Sequence, residues 1–180
     1  VLAAIVFVVM VRVRFGQRLG DESLLGRLGA APSLRDAAGD VLETIRRSSM
    51  VVMGALILLT ALVRRRPRLT LVVGAWMAVS ILGAEVLKRT LHRPAFGFDP
   101  PGFTMNTAPS GHTTIAMTFV LGALMVVPRR ARFPLAIAAS IYVTAIASGV
   151  LAAGWHRPAD PVIASLWVLA VAVLATALLV

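Results

Sequence analysis

The chain has 180 residues, 58% of them hydrophobic and 14% charged, with a mean hydropathy of +0.87. Seventeen arginines and one lysine stand against eight acids, a net charge of +10, and there is no cysteine. So apolar a chain is not a soluble domain, the lack of thiols excludes disulfides and thiolate metal sites, and continuous rather than alternating apolar runs argue against a β-barrel.

Val1 to Val11 is about half a membrane span, and Arg12 and Arg14 mark its exit. The chain opens inside this apolar run without the charged n-region or cleavage site of a signal peptide, so a continuation of the first helix before Val1 is expected. Residues 15 to 47 are mixed. Ser33 to Arg47 is amphipathic, with Leu34, Ala38, Val41, Leu42 and Ile45 on one face, Ser33 as N-cap and Asp36 at the third helical position. Such a helix lies in the membrane interface or packs in an extramembrane hairpin.

Ser48 to Val63 is a second span beginning near Arg46, and Leu69 to Leu87 a third, joined by the basic turn Arg64-Arg65-Arg66-Pro67-Arg68. Residues 88 to 110 are rich in Pro and Gly and lack helical periodicity. His112 to Val127 is a fourth span, Phe133 to Gly154 a fifth and Pro161 to Val180 a sixth. Each approaches the roughly 20 apolar residues that cross a bilayer. The expected fold is all-α. It is one polytopic membrane domain over residues 1–180, with six transmembrane helices and an extracytoplasmic interfacial helix between the first two.

Charge sets the expected topology. The turns at 64–68 and 128–132 hold seven arginines and no acid, and the positive-inside rule puts both in the cytoplasm. Alternation then brings 12–47, 88–110 and 154–160 to the other face. Two polar islands meet there, Lys88 to His112 and Trp155 to Asp160.

These islands carry the chemistry-bearing residues. Lys88, Arg89 and Arg93 follow the third span, and Glu85 is spaced to pair with Lys88 or Arg89. Interface anchoring is the plainer reading of such cations. Pro109-Ser110-Gly111-His112 reads as a helix start, with Ser110 as cap and Gly111 allowing close backbone approach. The N–H groups of a helix start attract phosphate, although an ordinary cap with a surface histidine has the same sequence. His156 and Asp160 are four apart, so the carboxylate can fix the imidazole tautomer and raise its basicity. Asp160 can instead cap the sixth span, with Pro161 at its first position. No HxxxH pair or carboxylate cluster supports a metal among His112, His156 and Asp160.

The lysine followed by Arg93-Pro94, the tetrapeptide Pro109-Ser110-Gly111-His112, and His156 with Asp160 four later resemble the type-2 phosphatidic acid phosphatase (PAP2) family, in its membrane branch. The resemblance covers about residues 50 to 180. It implies that Lys88 and Arg93 bind phosphate oxygens and that Ser110 and the Gly111 N–H complete the cradle. It further implies that His112 protonates the leaving alcohol, that His156 attacks phosphorus to form a phosphohistidine, and that Asp160 orients His156. No cofactor is implied. There are two departures. The family's third motif opens with Ser-Arg six residues before the nucleophile, where this chain has Gly149-Val150, so Arg157 or Arg89 is needed in that place. The gap from Lys88 to Arg93 is also shorter than the family's.

The expected function is hydrolysis of a lipid phosphomonoester or pyrophosphate at the extracytoplasmic face. The partners are the lipid phosphate and the bilayer, not nucleic acid. The single lysine resembles the composition of a high-GC bacterium, which implies a bacterial plasma membrane with the site facing outward. A phosphate-lipid binder or assembly protein without turnover is the alternative motivated by the missing arginine. A small transporter is disfavoured because the charges sit at one face.

Overall fold

The computed structural model describes residues 1–26, 29, 31–97 and 105–179. The chain is all-α, 81% helical, with no strand among the described residues. The helices are α1 (Leu2–Phe7), α2 (Arg14–Gly26), α3 (Pro32–Glu43), α4 (Arg47–Val63), α5 (Pro67–Thr90), α6 (Gly111–Val126), α7 (Arg129–Ala152) and α8 (Ala159–Ala177). A π-helical turn, Val8–Arg12, continues α1.

The apolar helix α6 sits in the middle and touches α4, α5, α7 and α8. Ile57 and Ala61 of α4, Val73, Trp76 and Met77 of α5, Val126 of α6, and Val168 and Ala175 of α8 form the main buried cluster. Gly122 makes the close approach possible. A β-carbon there would already stand 3.4 Å from Ile57 and from Trp76, and small residues at helix crossings let membrane helices pack by contact. Outward, Leu71, Leu82, Phe133, Ile141, Val173 and Leu174 leave most of their surface uncovered. Apolar side chains that coat a bundle on its outside belong against lipid.

Among the described residues, three helices are long and apolar enough to cross a membrane: α5, α7 and α8. A fourth span exists if α3 and α4, bent by 50° at the break between them, count as one. Leu2–Arg12 and α6 are shorter apolar helices. Of the six expected spans, α5, α7 and α8 are supported individually, while α4 qualifies only together with α3, which was expected to lie in the interface; the apolar helices make this a membrane protein.

Several boundaries shift for simple reasons. Helix α3 starts at Pro32 with Ala31 as its N-cap, not at Ser33. Proline has no N–H to satisfy and its φ suits the first helical position. Its buried stripe, Ala38 and Leu42, packs on α7: a β-carbon at Gly149 would lie 3.4 Å from Leu42 Cγ. The predicted face is otherwise only partly covered, and Leu34 is exposed. Helix α5 runs on to Thr90, so Lys88 and Arg89 form its last turn rather than a loop. Cations in that turn complement the helix dipole. Arg129, Arg130 and Arg132, expected in a turn before the fifth span, lie instead in the first turn of α7, which begins at Arg129 with Pro128 as its N-cap. Of the predicted loop 88–110, residues 98–104 lie outside the described residues.

The N-terminal segment folds back sharply. Val13 is extended, and α2 returns along the π turn. A β-carbon at Gly16 would collide with the Val9 carbonyl oxygen, so this crossing requires glycine. Phe7 and Val11 pack against Ala108, Ala159 and Ile163, which brings α2 to the start of α8.

The two ends of the bundle differ. Arg64 donates to the Val126 carbonyl (2.5 Å) and Arg68 to that of Leu178 (2.6 Å). The arginine-rich α4–α5 turn and the last residues of α6 and α8 therefore share one end. Lys88, Ser110, His156 and Asp160 gather at the other.

Candidate active site

The N-terminus of α6 is tied to the start of α8. Ser110 is the N-cap, fully buried, and its side chain accepts from the Thr113 N–H at 3.4 Å. The Ser110 N–H donates to the Asp160 carbonyl at 3.1 Å. Gly111 opens the helix beneath Lys88, whose ammonium lies 3.8 Å from where a β-carbon would be. A cation over the leading N–H groups of a helix makes a region of positive potential.

The second island folds onto the first. Gly154, at φ +67, turns the chain after α7, a conformation that costs glycine little. His156 Nδ1 lies 3.0 Å from Asp160 Oδ2. The same oxygen accepts from Thr107 Oγ1 at 2.5 Å and from the Arg157 N–H at 3.1 Å. Asp160 is buried, and so is His156. With Nδ1 occupied by the carboxylate, Nε2 is the nitrogen left for chemistry. The expectation that Asp160 caps α8 is corrected. The N-cap is Pro158, and Asp160 lies inside the first turn with its side chain turned back to His156.

His112, partly buried in the first turn of α6, stands with its ring centroid 5.4 Å from that of Trp155. It is within electrostatic reach of His156 and Lys88. Two imidazoles, one backed by a carboxylate and one beside an ammonium, are suited to covalent attack and to proton transfer respectively.

Arg93 and Arg157 enter through a residue from α2. Arg93 Nη2 donates to Asp21 Oδ2 at 2.7 Å, and Arg157 Nε donates to Asp21 Oδ1 at 2.6 Å. The side chains of all three are at least 96% buried. Arg157 Nη1 also reaches Thr107 Oγ1 at 3.2 Å and the Met105 carbonyl at 3.5 Å. Gln17, one turn before Asp21, donates to the carbonyls of Val11 (2.6 Å) and Pro94 (2.8 Å).

Lys88, Ser110, Gly111, His112, His156 and Asp160 thus cluster around the head of α6, and Arg93 and Arg157 join through Asp21 and Thr107. Arg89 does not take part. It is 76% exposed and pairs with Glu85 at 2.8 Å, so of the two arginines considered for the missing position only Arg157 is in the network. Val150, which occupies that position, is fully buried against Leu42, Ala116 and Ile146. Sequence reasoning missed Asp21, Gln17, Thr107 and Asn106. Asn106 braces the loop by donating to the carbonyls of Lys88 (3.3 Å) and Ala108 (2.8 Å). The one available signal was polar residues in a chain this apolar.

A recess of about 190 Å³ opens between α5 and α6, lined by Ile81, Leu82, Ile115, Glu85, Lys88 and Gly111. It has apolar walls and the ammonium at one margin.

No curated protein and no solved structure matches the chain. The model of the PAP2 superfamily matches residues 69–180, from the first turn of α5 through α8. That stretch carries His112, His156 and Asp160 together with Lys88, Arg93, Ser110, Gly111 and Arg157, and the chain therefore belongs to the PAP2 superfamily.

Proposed function

We propose that this protein is a membrane phosphatase that hydrolyses a lipid phosphomonoester or pyrophosphate through a phosphohistidine, at the extracytoplasmic face. Membership of the PAP2 superfamily suggests phosphatase activity on phosphate esters in general. The observation that carries the finer reading is the buried His156 Nδ1–Asp160 contact of 3.0 Å, with His112 within electrostatic reach of His156.

In the first step His156 Nε2 attacks phosphorus and the ester oxygen leaves with a proton from His112. Asp160 stabilises the imidazolium that forms. Lys88, Arg93, Arg157 and the head of α6 take the charge on the equatorial oxygens, the main catalytic task in phosphoryl transfer. In the second step His112, now neutral, takes a proton from water as the water attacks the phosphohistidine. Phosphate leaves and His156 is regenerated. The side chains supply the charge and proton transfers, so release is expected to persist in EDTA.

The lipid substrate is supported by the recess between α5 and α6, whose apolar walls lead to Lys88 and Gly111. The outward face is supported by the arginine-rich turn at the opposite end of the bundle. The rival reading, a binder of phosphorylated lipid, is favoured by one observation: the third-motif arginine is replaced by a buried valine. Phosphate release from a panel of lipid phosphates and pyrophosphates in detergent decides between them. Release by the wild type and none by His156→Ala supports the enzyme. Lipid phosphate binding without release by either supports the binder.

A further inference from the structure

Asp21 lies outside the region that matches the family, on a helix that precedes it. It is nevertheless 2% exposed and joined to both arginines of the cradle. We propose that Asp21 is a positioning residue of the phosphate site, its carboxylate holding the Arg93 and Arg157 guanidiniums in the orientation that receives the phosphoryl group. The inference rests on the phosphate-site reading of this cluster.

The geometry supports positioning in three ways. First, Asp21 uses a different oxygen for each arginine, Oδ2 for Arg93 at 2.7 Å and Oδ1 for Arg157 at 2.6 Å. One carboxylate thereby fixes the spacing of two guanidiniums that would otherwise repel each other at close range. Second, its own helix is locked to the same loop. Gln17 donates to the Pro94 carbonyl at 2.8 Å, next to Arg93. A β-carbon at Gly20 would lie 3.4 Å from Arg157 Cδ, so the arginine stem crosses α2 at its nearest backbone. Third, Arg157 extends the link to the nucleophile. Its Nη1 is 3.2 Å from Thr107 Oγ1, which donates to the Asp160 oxygen that meets His156.

A carboxylate between two phosphate-binding arginines can play two opposite parts. As a brace it holds them for the substrate. As a plug it occupies the place the substrate needs. The brace fits better, because Asp21 binds Arg157 through Nε while that residue's Nη1 is directed to Thr107 and Met105 on the active-site loop. Arg157 therefore faces two ways, to α2 by one edge and to the site by another.

The test uses the full chain in detergent, with two readouts. One is the affinity for inorganic phosphate by calorimetry, and the other is phosphate release from a lipid phosphate. Asp21→Asn keeps the shape and removes the charge. A brace predicts phosphate affinity and kcat roughly ten- to a hundred-fold lower, the size expected when charge-assisted bonds are misaligned. Asp21→Glu keeps both ion pairs with one more methylene and should fall between. Unchanged or tighter phosphate binding by Asp21→Asn overturns the inference, and tighter binding identifies a plug. If Asp21→Asn does not fold, Asp21→Glu decides. A loss of threefold or more in kcat at an unchanged melting temperature supports the brace, and wild-type values overturn it. Wild type that binds phosphate but releases none defeats the phosphatase reading and leaves Asp21 to be judged by affinity. Wild type that does not bind phosphate defeats both.

Discussion

Thr107 Oγ1 donates to Asp160 at 2.5 Å, the shortest of the three bonds to the carboxylate oxygen that meets His156 Nδ1. The threonine stands two residues before the proline of the Pro-Ser-Gly-His turn, so the two polar islands are coupled at the atom that orients His156, the proposed nucleophile. Thr107→Val keeps the volume and removes the donor. It should lower kcat about tenfold, in line with one charge-assisted hydrogen bond, with the melting temperature little changed. Thr107→Ser should restore most of the rate. Steady-state kinetics on all three proteins would expose a purely structural threonine, because the valine and serine variants would then be equally active.

The two histidines should separate by leaving group. His156→Ala removes the nucleophile and should abolish turnover and any acid-labile phosphoenzyme on every substrate. His112→Ala removes a proton donor, which a poor alkyl leaving group needs and a phenolate hardly does. Its rate on an alkyl phosphate should fall about a hundred-fold or more, and on an aryl phosphate far less. Equal losses on both substrate types would reassign the acid.

Installing the family's arginine should not help. Val150 is fully buried beneath Leu42 of α3 and beside Ile146. A guanidinium there has apolar neighbours and displaces packed atoms, so Val150→Arg should destabilise the fold by more than about 3 kcal/mol. Urea or thermal unfolding in detergent measures this. A variant of wild-type stability and higher activity would mean that the side chain threads out to the cradle, and that α3 yields to let it pass.

The ends of the bundle should label from opposite sides of the membrane. Met105 is 75% exposed at the site end, and Arg66 lies in the basic turn at the other. In cells, Met105→Cys should react with an impermeant thiol reagent and Arg66→Cys should react only after lysis. The chain has no other cysteine to confuse the result. Reversed labelling would turn the site to the cytoplasm.

The helical core and most of the candidate cluster were legible because they follow rules local in sequence. Ser110 before Gly111, and His156 four before Asp160, each lie within a turn or two, so spacing alone foretells the contact. Long apolar runs gave α5, α7 and α8 for the same reason. The α2 brace was not legible. Its buried face is Gly16, Gln17, Gly20, Asp21 and Leu24, a helical stripe built from glycines and polar groups that a search for apolar periodicity passes over. Its partners are 72 and 136 residues away in the chain, beyond any local rule. Val150 shows the converse. Counting back from His156 puts it where the motif's arginine is expected, but α3 lies over it, and which helix covers a residue is a matter of tertiary packing.

The hydrogen bonds of Gln17, to Val11 on one side and Pro94 on the other, have a consequence for where this protein can be cut. A family boundary drawn at residue 69 suggests a self-sufficient unit, yet Asp21, which bonds to both Arg93 and Arg157, comes from before it. A fragment starting at α5 would keep every residue given a role in the proposed reaction and lose the carboxylate that bonds to two of them. Its apolar start of α8, where Ile163 and Ala159 meet Phe7 and Val11, would also lie bare. For this chain the segment before the family boundary contributes to the candidate site through Asp21.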